Sequence, residues 1–162
     1  ISNPLTSRLK RTGSDVTVVA TSIMVLEAER AAEHLATAGI ECDVIDLNCI
    51  SNPDTAMIIS SVEKTGRLLI ADTSWQAYGV AAEICRIICE QAPSALQAPV
   101  VTMGMSPAPC PTAKTLEDLY YPDLHDLCDA IGRLVSGSDQ HGIDLPEKKP
   151  MTDTYKHFRG PF

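Results

Sequence analysis

The chain has 162 residues, 44% of them hydrophobic but only 4% aromatic, which is enough for one domain with an aliphatic core of Val, Ile, Leu and Ala. Its formal net charge of -8 excludes the basic patch that nucleic-acid phosphates require, and it is compatible with basic protein partners. Six cysteines are too few, beside long apolar helices, for a secreted disulfide scaffold.

Residues 5–12 alternate weakly and suit an edge strand whose charges discourage edge-to-edge pairing. Val16-Thr-Val-Val-Ala20 is a β-branched run without alternation, as expected of a strand covered on both faces. Thr21 and Ser22 are candidate helix caps. Met24, Ala28, Ala31, Ala32 and Leu35 then recur at helical spacing, and Gly39 is a left-handed stop. Cys42 to Leu47 is the next strand. Pro53-Asp54 opens a helix with Ile58, Ile59 and Val62 on its apolar stripe and Gly66 at its end. Residues 67–71 are a strand, and residues 79–92 a helix carrying Val80, Ile84, Ile87 and Ile88. Val100 to Met103 is the last strand, followed by a proline-rich loop from Gly104 to Pro111. Asp123 caps a final helix with Leu124, Leu127, Cys128, Ile131, Leu134 and Val135 on its buried face. Strands alternating with helices predict parallel neighbours in a three-layer α/β/α sandwich. The domain is expected to end near Val135, so residues 1–135 form it and 136–162 are linker and tail. Residues 136–150 have a linker's composition and are expected to be extended or mobile. Tyr155, Phe158 and Phe162 bring rings that call for a covering surface on the same domain or a neighbouring subunit.

Chemistry-bearing residues are sparse. Cys85 and Cys89 are four apart on a helix, but no histidine is near in sequence to complete a metal site, so a core role is expected. Cys42, Cys49, Cys85, Cys89 and Cys128 all fall inside predicted strands or helices, which suggests free buried thiols in a reducing, cytoplasmic-type compartment. His34 and His125 lie on amphipathic helices and are expected to face solvent. No Gly-x-Ser-x-Gly supports a hydrolase, and no Gly-x-Gly-x-x-Gly or phosphate loop supports nucleotide binding. No signal peptide or membrane-spanning run is visible, and the first residue is not Met, as expected of a processed or excised piece of a longer chain.

Asp46 and Asp72 end strands, where an acid serves either function or the capping of the next turn. Trp75 and Tyr78 occupy a loop after a strand, as interface anchors or as packing over the sheet end. The Met105-Ser106-Pro107 loop is stiffened by prolines, which suits docking or a rigid connector equally.

Four segments together carry a resemblance: Gly13-Ser-Asp-Val-Thr-Val-Val-Ala-Thr-Ser22, Val44-Ile-Asp-Leu47, Gly66 through Glu83, and Lys114-Thr-Leu-Glu-Asp-Leu-Tyr-Tyr-Pro122. Over roughly residues 10–135 the chain resembles the transketolase C-terminal domain. The closest version ends the beta subunit of the thiamine-diphosphate-dependent decarboxylating component of 2-oxo acid dehydrogenases. The resemblance implies a five-stranded mixed sheet with an antiparallel first strand, and a role in subunit association rather than catalysis. It implies thiamine diphosphate and magnesium in the intact enzyme but neither in this domain, and no catalytic residue here. It implies a homo-oligomer, or a hetero-oligomer with an alpha subunit, and docking of the acyltransferase core. Neither nucleic acid nor a membrane is an expected partner, and the compartment is the cytoplasm or the mitochondrial matrix. Candidate interface residues are Trp75, Tyr78, Gly79, Met105, Ser106, Pro107, Tyr155, Phe158 and Phe162. Asn48, Ser51-Asn52, Thr73 and Gly104-Met105-Ser106 depart from the family's polar pattern. Alternatives are a stand-alone binding or scaffold module that kept the fold, and the C-terminal domain of a transketolase or deoxyxylulose-phosphate synthase.

Overall fold

Val16–Ala20 (β2) is buried along its whole length because it forms the middle of a five-stranded sheet. In the computed structural model, which describes residues 5–150 and Lys156, the strand order is β1-β3-β2-β4-β5. The others are Arg8–Arg11 (β1), Cys42–Asp46 (β3), Leu68–Ala71 (β4) and Val101–Met103 (β5). β2 runs parallel to β3 and β4, and β4 parallel to β5. Only β1 is antiparallel, pairing Arg8 with Asp46 and Leu9 with Ile45 before its register slips. The fold is therefore the expected sandwich with one antiparallel edge strand.

Parallel neighbours need crossovers, and the helices supply them on both faces. Met24–Ala36 (α1) joins β2 to β3, Thr55–Thr65 (α2) joins β3 to β4, and Val80–Gln91 (α3) joins β4 to β5. A short turn of helix, Lys114–Glu117 (α4), precedes the last helix, Leu124–Ser136 (α5). One face of the sheet presents Val16, Val18, Ala20, Val44 and Leu69 to α1 and α5. The other presents Val19, Ile45, Leu68 and Ile70 to α2 and α3. Each fully buried Leu or Ile side chain contributes about 1.5–3 kcal/mol, so the two aliphatic layers dominate the stability.

The caps follow local chemistry. Asp54 accepts the Met57 amide at 3.0 Å, and Gly66 ends α2 with a left-handed φ of 70°. Asp123 and Asp126 form a reciprocal capping box at the start of α5. Thr21 and Ser22 are not caps. The N-cap of α1 is Ile23, without a side-chain bond, because the Thr21 hydroxyl is drawn across the sheet to Asp72.

Beyond α5 the chain doubles back over the α1/α5 layer without regular structure, and Ile143 and Leu145 pack against the core there. His34 and His125 are half-buried against this strap rather than facing solvent. His34 Nε2 lies 2.7 Å from the Asp144 carbonyl, and His125 Nδ1 lies 2.8 Å from that of Pro146. A helical face that reads as solvated in sequence is thus covered by a segment more than 20 residues later. Among the described residues no helix is long and apolar enough to cross a membrane.

Candidate contact surface at the carboxyl end of the sheet

The crossovers from β2 and β4 leave in opposite directions along the sheet, β2 toward β3 and β4 toward β5. Such a switch point opens a crevice at the carboxyl ends of the two strands, the usual ligand site of open α/β sheets. Here the protein's own groups close it. Asp72, only 6% exposed, follows β4 and accepts the Thr21 hydroxyl from the end of β2. The same oxygen, Oδ1, accepts the Thr73 amide at 2.8 Å, and Oδ2 accepts the Ser74 hydroxyl. Every one of these donors is internal, so Asp72 organises a loop and does not present a carboxylate. Asp46, the other strand-end acid, accepts the Asn48 amide at 2.9 Å and closes a local turn.

The loop that Asp72 holds is packed against the loop after β5. The Met105 amide donates to the Ser74 carbonyl at 3.1 Å, and Gln76 Nε2 donates to the Thr102 carbonyl at 3.1 Å. A Cβ at Gly104 would lie 2.6 Å from the Ser74 carbonyl oxygen, and one at Gly79 2.0 Å from that of Trp75, so both approaches require glycine. Further on, the Ser106 amide donates to the Tyr120 carbonyl at 2.8 Å, and the Tyr120 hydroxyl donates to the Ala108 carbonyl at 2.8 Å. Tyr120 and Tyr121 meet edge to face, 4.8 Å between centroids.

This scaffold exposes apolar side chains. Trp75 is 54% exposed and Tyr78 fully so, with Tyr78 held at a left-handed φ of 61°. Leu116 and Leu119, exposed by 54% and 71%, flank the same loops, and Ile50 stands in the loop after β3. Leu5, before β1, joins them, since its carbonyl accepts Asn52 Nδ2 at 3.3 Å. The remaining large exposed hydrophobic among the described residues, Leu9, lies on β1 opposite Ile45. Concentrated exposure of that kind makes this end a candidate contact face.

Of the candidate residues, Trp75, Tyr78, Gly79, Met105, Ser106 and Pro107 are brought together here, with Pro107 exposed and Met105 and Ser106 half-buried. Tyr155, Phe158 and Phe162 lie outside the described residues. Sequence reading missed Ile50, Leu116 and Leu119, which form no motif. It also missed the use of Asn48 and Asn52. Asn48 takes a left-handed φ of 54°, which asparagine tolerates, and its Nδ2 donates to the Thr6 carbonyl at 3.0 Å. Both asparagines thus tie down the approach to β1.

The cysteines divide. Cys42 and Cys128 are buried in the α1/α5 layer, and burial pushes both thiols up to about 12, which makes them inert. Cys49 sits in the loop after β3, not within a strand, and a hydrogen bond with Ser51 lowers its thiol below the ordinary value. Cys89 is exposed rather than in the core, because it stands one residue past Ile88, about 100° off the buried stripe of α3. A depression of about 490 Å³ beside the outer edge of β5 is lined by Ala98, Pro99, Val101 and Leu134. Its charged groups, Asp129, Arg133 and Asp139, are spent within the protein, Arg133 lying 2.8 Å from Asp129 and 3.6 Å from Asp139.

Residues 6–127 match the family model for the transketolase C-terminal domain. The chain belongs to that family. It is 41% identical over 127 residues to the mitochondrial pyruvate dehydrogenase E1 component subunit beta-1 of Arabidopsis thaliana, covering 78% of this chain and 35% of that one. The pyruvate dehydrogenase E1 component subunit beta of Leifsonia xyli is 38% identical over 136 residues, 82% of this chain and 40% of its own length. The beta subunit of an acetoin:2,6-dichlorophenolindophenol oxidoreductase from Cupriavidus necator is 34% identical over 131 residues, with 81% and 39% covered. The chain spans well under half the length of these relatives. A solved split-gene transketolase, an inactive beta4 tetramer, superposes with a TM-score of 0.74 over 83% of this chain and 43% of that one, at 24% identity. That likeness shows the fold. The transketolase C-terminal domain here has a full core and one apolar end. Among the described residues no three His, Cys, Asp or Glu side chains are grouped to hold a metal.

Proposed function

We propose that this domain is the C-terminal assembly domain of the beta subunit of a thiamine-diphosphate-dependent 2-oxo acid dehydrogenase. The observation that carries the reading is the roughly 40% identity to pyruvate dehydrogenase E1 beta subunits across a region belonging to one domain of them. The intact enzyme decarboxylates a 2-oxo acid and passes the acyl group to a lipoyl arm, with thiamine diphosphate and magnesium as its cofactors. The domain supplies contacts: to a second copy, to an alpha subunit, and to the acyltransferase core. Its compartment is the bacterial cytoplasm or the mitochondrial matrix.

The described residues do not fit thiamine diphosphate. A diphosphate–metal site needs available carboxylates or amides, and the buried acids Glu27, Asp43 and Asp72 have theirs taken by internal donors. Titration calorimetry of the chain with cofactor and magnesium is expected to show no saturable heat. A micromolar Kd would overturn the division of labour proposed here.

The apolar carboxyl end supports association. Trp75 offers the largest ring of that surface, and aromatic anchors of this kind typically lose about 2 kcal/mol or more on truncation. Sedimentation of the chain is expected to show at least a dimer, and Trp75→Ala should weaken it roughly 30-fold or more in Kd. A chain that stays monomeric at high concentration both with and without residues 151–162 would rule this surface out as a self-contact.

A further inference from the structure

The strap after α5 has a direction. His141 Nε2 meets Asp129 at 3.1 Å, His125 meets the Pro146 carbonyl at 2.8 Å, and Lys148 Nζ donates to Asp126 at 2.7 Å. The strap therefore runs from the middle of α5 back to its first turn. Burial alone would raise the Asp129 carboxyl, but His141 and Arg133 hold it below the usual range. The hydrogen bond to Asp126 likewise raises the Lys148 ammonium. Both contacts are thus charge-assisted. Because α5 begins where the loop from β5 ends, Lys148 stands at the carboxyl end of the sheet. Lys149 and Pro150 follow it at the end that exposes Trp75, Tyr78, Leu116 and Leu119.

We infer that this apolar surface is a docking site for a basic aromatic peptide, and that its occupant is the chain's own C-terminal segment, residues 151–162. Tyr155 stands seven positions after Lys148, a reach of up to ~25 Å when extended. Residues 151–162 hold Lys156 and Arg159 against one acid, Asp153, in a chain whose net charge is -8. The stretch 114–126, from α4 into the first turn of α5, holds Glu117, Asp118, Asp123 and Asp126 against one lysine, Lys114, with Asp126 already paired with Lys148. Tyr155, Phe158 and Phe162 supply rings for the exposed apolar side chains, and the basic residues suit the acids beside them. A tether this short places the segment at an effective concentration of about millimolar, which favours its own surface over that of a second copy. The inference rests on reading this end as a contact face, and it makes the tail and an assembly partner competitors for it.

Trp75 is the sole tryptophan, so its emission reports occupancy directly. Truncation after Pro150 is expected to red-shift the emission and increase acrylamide quenching. In the full chain, at concentrations where sedimentation shows monomer, both signals should be independent of protein concentration. A synthetic 151–162 peptide should restore the truncated chain only toward about millimolar concentration. Tyr155→Ser with Phe158→Ser should reproduce the truncation while circular dichroism stays unchanged. Identical emission and quenching in the full and truncated chains would overturn the inference. So would a shift that appears only as concentration and sedimentation coefficient rise together, which would put the segment on a second copy. If the tail fails these tests while Trp75→Ala still weakens association of the truncated chain, the contact face stands and only its occupant is wrong.

Discussion

Asp72→Ala is expected to destabilise the domain by about 3 kcal/mol and to lower Tm by roughly 6–12 °C. The carboxylate is the shared acceptor of the Thr21 hydroxyl, the Ser74 hydroxyl and the Thr73 amide, and it is 6% exposed. Alanine leaves all three donors without it, and water cannot reach Thr21, which is 8% exposed. Hydrogen bonds to a charged group are worth about 1.5–3 kcal/mol each, and an orphaned buried donor costs most of that. The second effect is local. Ser74 fixes the loop whose carbonyl holds Met105, so Trp75 and Tyr78 lose their common platform. Asp72→Asn keeps the shape but turns one acceptor into a donor, so it should fall between the two. Thermal denaturation followed by circular dichroism gives the stability, and Trp75 emission gives the loop. A loss below about 1 kcal/mol would mean that the network does not hold the switch point closed.

The frame of the molecule was legible because it rests on short-range chemistry. A β-branched run without alternation at Val16–Ala20 is a strand buried on both sides, and it became the centre of the sheet. Asp54, Gly66 and Asp123 act within one helical turn, so their spacing alone located the ends of α2 and α5. The family resemblance supplied what local patterns cannot, the antiparallel pairing of the first strand. What was hidden depends on partners far along the chain. Thr21 reads as a cap, yet its bond goes to Asp72, 51 residues away. His34 reads as solvated, yet it meets Asp144, 110 residues away. The contact surface was half legible. Trp75 and Tyr78 are conspicuous as aromatics in a loop, whereas Ile50, Leu116 and Leu119 matter only because the loops converge.

The opposite end of the sheet carries the other large expected effect. Asp43, with its side chain 2% exposed, accepts the Gly13 amide at 2.6 Å, the Ser61 hydroxyl at 2.6 Å and the Lys64 ammonium at 2.5 Å. Ser61 in turn lies 2.6 Å from the Thr17 hydroxyl, which lies 2.8 Å from that of Thr65. One carboxylate thus pins α2 to both β2 and β3 and holds the turn into β2. Asp43→Ala should cost about 3–4 kcal/mol, since it strips a buried charged acceptor from three donors at once. Gly13→Ala tests the same junction from the backbone. A Cβ there would lie 2.3 Å from the carbonyl carbon of Cys42 and 2.4 Å from that of Glu41. Those atoms belong to the chain running into β3 and cannot swing aside, so the turn must move and its amide must leave Asp43. A loss of about 3 kcal/mol is expected for this variant too. Because both substitutions break the Gly13–Asp43 bond, the double variant should lose less than the sum of the two by about 1 kcal/mol or more. Urea denaturation of the four proteins measures that difference. Strict additivity would mean that Gly13 is required only for space and that Asp43 holds α2 without it.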